Sequence, residues 1–162
     1  MPRCGKVGVS TTEGESATPS EPDARQWLAK AQDDLTVAQM VRDSSLGVRW
    51  AACFHAQQAA EKALKALLVA RGIDFPKSHA LDVLAGLLEE ADQERFERSA
   101  LVELSPWAVA GRYPEDLPEP TADETRHLIE VAALVAQKVR TVVDPGEPGM
   151  VASGGAAPRD EE

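Results

Sequence analysis

The sequence predicts an all-α fold, an up-and-down bundle of four to five antiparallel helices. Three observations carry this reading. Ala52, Ala56, Ala59, Ala63, Leu67 and Ala70 recur at spacings of three and four, the period of one helix face. Aromatic residues make up only 4% of the 162 residues, so the core must be built from Ala, Leu and Val, which suits packed helices better than a β-sandwich. Turn and capping signals separate the periodic runs by short connections, which favour antiparallel neighbours.

The elements follow in order. Residues 1–22 are rich in Ser, Thr, Gly, Pro and Glu. Such a segment buries too little apolar surface to offset its ordering entropy, so a disordered tail is expected. The helical domain is expected over 23–143, with a second disordered tail over 144–162. A first helix is placed at 24–43, with Asp23 as N-cap and Trp27, Ala31, Leu35 and Ala38 on its apolar stripe. After the turn Asp43–Gly47, a second helix is expected over 48–71. Gly72 supplies a left-handed stop and Pro76 forbids continuation. Ser78 is read as the cap of a third helix, 79–91, carrying Leu81, Leu84 and Leu88. A fourth starts near Gln93 with Phe96, Ala100, Leu101 and Leu104 on one face, and Pro106 should kink or end it. Residues 111–120 hold three prolines and read as a loop. Thr121-Ala122-Asp123-Glu124 is a capping box that opens the last helix, 122–143.

Charge and cysteine usage bound the function. The net charge of −10 argues against general binding to nucleic acid. Its distribution is uneven. Residues 49–79 carry five cations against two acids, whereas residues 80–130 carry thirteen acids against four arginines. Such a basic stripe on an acidic body can hold a phosphate or form half of a charge-matched interface. Cys4 and Cys53 provide neither a disulfide framework nor metal-ligand spacing. No apolar run approaches the length of a membrane span, and Met1–Lys6 lacks an apolar signal core, so a cytoplasmic protein is expected. Nothing matches a phosphate-cradling glycine loop, a nucleophile elbow or a metal cluster, so no cofactor and no metal are expected.

The wording of the second helix is more specific than its periodicity. The run His55-Ala56-Gln57-Gln58-Ala59-Ala60-Glu61-Lys62-Ala63-Leu64-Lys65-Ala66-Leu67-Leu68 is followed by Gly72, Pro76 and Ser78-His79-Ala80-Leu81. Arg112-Tyr113-Pro114 comes later. Over about residues 24–143 the chain resembles the HEPN domain family, small helical domains associated with nucleotides. The resemblance implies a homodimer. It also implies work beside a minimal nucleotidyltransferase, as half of a two-component or toxin–antitoxin pair. Many HEPN proteins are metal-independent ribonucleases whose arginine is followed, four to six residues on, by a histidine.

Two function classes follow. In the first, the chain is a non-catalytic module that binds a mononucleotide or a protein partner. Lys62 and Lys65 then hold phosphate, His55 or Gln58 meets base or ribose, and His79 assists near Lys77 and a helix N-terminus. Arg112, with Tyr113 held extended before Pro114, is the arginine that the resemblance singles out. The plain alternative is that His55, Gln58, Lys62 and Lys65 form a solvated helix face. In the second class the chain is a ribonuclease acting on RNA, with Arg49 and His55 as its catalytic pair. Those residues have the spacing. However, six residues along a helix turn through about 600°, leaving the side chains about 120° apart. Arg112 has no histidine four to six residues beyond it. Trp27, Trp50 and Trp107 are read as core or interface anchors.

Overall fold

The computed structural model describes residues 21–109 and 118–146. Among them are six α-helices and one 3₁₀ turn, with no strand. They are α1 (Glu21–Asp43), α2 (Arg49–Ala70), α3 (Leu81–Gly86), α4 (Glu90–Gln93), α5 (Arg98–Leu104), a 3₁₀ turn (Ser105–Ala108) and α6 (Ala122–Val143). The all-α bundle expected from the sequence is the fold observed. The expected tails lie almost wholly outside the described residues.

Helix α1 starts at Glu21, before the expected cap. Asp23 is therefore inside the helix, and Pro22 sits in the first turn, where its missing N–H costs nothing. Leu28, Ala31, Leu35 and Ala38 are buried, and Trp27 packs at the edge of the core. Gly47, at φ 70°, turns the chain back into α2.

Helix α2 is the central element and is buried on most of its circumference. Ala52, Ala56, Ala59, Ala63, Leu64 and Leu67 are wholly buried, while Ala70, expected on the same face, is exposed. Its alanines let α1 and α6 approach closely. The helix ends in a Schellman motif: Gly72, at φ 66°, donates from its N–H to the Val69 carbonyl at 3.0 Å, and Ile73 to that of Leu68 at 2.9 Å.

The region expected to hold two further long helices is instead broken into α3, α4, α5 and the 3₁₀ turn. Glu89 and Glu97 are extended residues at the two breaks, and each follows a buried apolar residue, Leu88 and Phe96. Breaking the helix there lets Leu81, Leu84, Leu88, Phe96, Leu101 and Leu104 all turn inward, which one straight helix cannot do. Ser78 is not the cap of α3. Its hydroxyl accepts from the Ala80 N–H, and the Leu81 N–H donates to Ser105 Oγ at 2.9 Å. Pro106 falls in the 3₁₀ turn after α5, where the sequence placed an end.

Helix α6 begins with the expected capping box. Thr121 N–H donates to Glu124 Oε2 at 2.7 Å, and Glu124 N–H returns a bond to Thr121 Oγ1 at 3.2 Å. Near its far end, Arg140 donates to Gln32 and Asp144 meets Arg25, while near its start Thr125 lies against Cys53. Thus α1 runs antiparallel to both α2 and α6, and α6 starts at the end of the bundle from which α2 also starts.

Candidate functional site

The polar stripe of α2 faces α1 and the loop after α2, and its groups already have partners. His55 Nδ1 lies 2.9 Å from Asp34 Oδ1, and Lys62 donates to the other oxygen of Asp34. All three residues are partly buried. One carboxylate of α1 thus holds two groups of α2. The stripe is a seam between helices rather than a solvated face.

One turn further along, Glu61 is the centre of a second cluster. Its carboxylate accepts from Lys65 at 2.7 Å and from Gln57 at 3.0 Å, and His79 Nδ1 lies 3.1 Å away. Gln57 is wholly buried and also donates to the His79 carbonyl at 3.0 Å. The Lys65 ammonium sits 5.6 Å from the ring centres of both Trp27 and Phe75, which meet edge to face. Burial pushes the Glu61 carboxyl up, but the bonds from Lys65, Gln57 and His79 outweigh it and hold the pKa below the usual glutamate value. The cluster fastens the loop after α2 to α1 and α2. A third buried carboxylate, Asp92 of α4, accepts from Arg71 at 2.6 Å and from Arg95 at 2.9 Å. Arg71 and Arg95 hold its pKa down against partial burial.

The structure therefore joins Lys65 and His79 through Glu61 and places Lys62 apart from them, on Asp34. Arg112 and Tyr113 lie outside the described residues. Arg49 and His55 are not brought together. His55 is held by Asp34 and stacks edge to face on Phe54. Arg49 instead lines a recess of about 260 Å³ with Arg42, Asp43, Ala122, Thr125 and Arg126.

Sequence reasoning missed this recess because its arginines come from three helices, and Arg126 lies far along the chain from Arg42 and Arg49. It lies where α1 ends and where α2 and α6 both begin. The N-terminus of α2 therefore adds positive potential to the three guanidinium groups, whereas that of α6 carries Asp123 and Glu124 in its first turn. No acid lies in the first turn of α2, and no side chain caps it. Arg42 is held by Asp43 at 2.7 Å and Arg126 by Asp123 at 2.8 Å. Arg49 is exposed, and its side chain makes no hydrogen bond or ion pair among the described residues. Beneath it, Thr125 donates to the Thr121 carbonyl and lies 3.8 Å from the buried Cys53 sulfur. Burial pushes the Cys53 thiol up to about 11, which keeps it protonated and unreactive. Among the described residues no group of His, Cys, Asp and Glu is arranged to hold a metal ion. None of the helices described is long and apolar enough to cross a membrane.

Comparison with known proteins places the chain. No curated protein matches it. The crystal structure of TT1696 from Thermus thermophilus is 31% identical over 72% of this chain and 95% of that one, with a TM-score of 0.62. The crystal structure of ST0689, described as an archaeal HEPN homologue, is 26% identical over 74% of this chain and 97% of that one, with a TM-score of 0.58. The family model of the HEPN domain matches residues 24–142, from the first turns of α1 to the end of α6. The match takes in all three long helices and the broken segment between them, and the chain belongs to the HEPN domain family.

Proposed function

We propose that this chain is a non-catalytic HEPN module that holds the phosphate of a mononucleotide. In this reading it acts as a homodimer in the cytoplasm beside a nucleotidyltransferase, as one half of a two-component, toxin–antitoxin-like pair. The observation that carries the reading is the recess with Arg42, Arg49 and Arg126 on its wall and no histidine among its described lining residues. Arginine presents planar, always-charged donors suited to phosphate. Proton transfer from a ribose 2′-OH needs a group that titrates near neutrality, and none stands among those lining residues. Lys62, Lys65 and His79 lie against carboxylates, as Arg42 and Arg126 also do, whereas Arg49 has no such partner among the described residues.

The test is fluorescence anisotropy with a labelled AMP. Saturable binding is expected, weakened at least tenfold by Arg49→Ala and no more than twofold by Lys62→Ala. Arg112→Ala reports separately on the arginine singled out by family resemblance. Equal binding by wild type and Arg49→Ala removes the recess from the reading. An RNA degradation assay in EDTA decides the chemistry. No cleavage is expected, and cleavage abolished by both Arg49→Ala and His55→Ala would establish a ribonuclease instead. Affinity purification from the source cell tests the partner, with a nucleotidyltransferase expected in the eluate.

A further inference from the structure

Beside the buried face of α6, and sharing the buried Val135 with it, is a groove that packing among the described residues leaves open. Leu128, Ile129, Ala132, Ala136 and Val139 turn inward to the bundle. His127, Glu130, Val131, Leu134, Val135 and Lys138 line a groove of about 310 Å³ between α6 and α5. These α6 residues span three turns, roughly 16 Å at 1.5 Å per residue. Its apolar surface is carried by Val131 and by Leu134, which is 49% exposed, above the buried Phe96 and Leu101. The rim carries Glu97, Glu103 and Glu130. Among the described residues, no lysine or arginine forms a salt bridge with these carboxylates: Glu97 accepts from Ser99, and Glu103 faces His127 at 3.3 Å. Lys138, also on the rim, is turned to the Arg95 carbonyl.

We propose that this groove docks an amphipathic helix of a partner protein, with apolar side chains at i, i+3, i+4 and i+7 seated on the floor and lysines or arginines against the three glutamates. The length fits a helix of about three turns laid in a groove. Charge complementarity selects a basic partner, because the rim sits in the most acidic stretch of the chain. A second copy of this chain is disfavoured. A second copy carries the same net charge of −10 and the same three rim glutamates, so it brings no excess of cations to them. The inference does not depend on phosphate binding at the arginine recess.

The experiment uses the full chain and a labelled synthetic helix with a leucine stripe flanked by lysines. A twin with glutamates in place of the lysines is the control. The basic peptide is expected to bind saturably and more weakly as salt rises, and the acidic twin not to bind. Leu134→Glu discriminates sharply. It adds a negative charge, so a purely electrostatic attraction grows, whereas seating in the groove falls at least tenfold. Glu130→Lys should weaken binding by a similar factor. Unchanged or tighter binding to Leu134→Glu overturns the proposal, as does no binding to wild type. Light scattering provides a further arm: conversion of a dimer to a monomer by Leu134→Glu would assign the groove to self-association and sink the partner.

Discussion

Asp34 holds His55 and Lys62 from one carboxylate group, and that changes what a mutation at Lys62 should do. On a solvated face, Lys62→Ala costs almost nothing. In the seam, it removes one partner of a partly buried carboxylate. The expected cost is about 1 kcal/mol, read as a lower denaturation midpoint in urea. Asp34→Ala should cost more, since it strands two groups. Glu61 has a pH signature. Its folded pKa is depressed, so its contribution is complete above the ordinary glutamate value and is lost as pH falls through the folded one. The stability gap between wild type and Glu61→Gln should therefore be widest near neutral pH, begin to narrow as pH falls past the ordinary glutamate value of about 4.3, and close only once pH is below the depressed folded pKa. A gap that stays constant as pH falls would show that shape rather than charge matters there.

Among the elements, α2 is set by its sequence at both ends of its pattern, and the segment after it is not. The alanine face and Gly72 are local signals, so both were legible. Gly72→Ala tests the C-terminal stop. An added Cβ meets no atom within 4 Å, so space is not the obstacle. The left-handed backbone is, at about 1–2 kcal/mol for an L-residue. Thermal denaturation should show that loss, while a nearly unchanged melting temperature would mean that the turn relaxes. The third and fourth expected helices did not form as long rods. Leu81, Leu84, Leu88, Phe96, Leu101 and Leu104 do all face the core as apolar residues should. The breaks at Glu89 and Glu97 are set by the need to reach α2 and α6, which no local pattern reports. The Ser105 bond to the start of α3 spans 24 residues and is equally silent in sequence.

At the scale of the molecule, α2 is the beam on which α1 and α6 rest, and Leu67 lies wholly buried on it. Leu67→Ala should cost about 2–5 kcal/mol through lost burial and the cavity left behind. Chemical denaturation measures it, and a cost below that of Lys62→Ala would place the core on the wrong face of α2. Assembly is the other property at this scale. Met40, Leu46 and Trp50 are exposed at the hairpin between α1 and α2. A homodimer is expected, and light scattering that returns 17.4 kDa across micromolar concentrations would sink it.

The sequence by itself determined the helical class, the family, the alanine-rich central helix, the Gly72 stop and the Thr121 capping box. Apart from the family, whose motifs run from His55 to Pro114, these rest on residues within a few turns of one another, and such short-range preferences act before any tertiary contact exists. Tertiary structure alone decided which polar residues are paired and which are left to solvent. Nothing in the sequence names a partner for Lys62 or Arg49. Only the antiparallel packing of α1 on α2 brings Asp34 to Lys62. Only the meeting of three helix ends gathers Arg42, Arg49 and Arg126 into one recess. Electrostatic partners depend on distance in space, and the chain's periodicity carries no record of which charges long-range packing will set within a few ångströms.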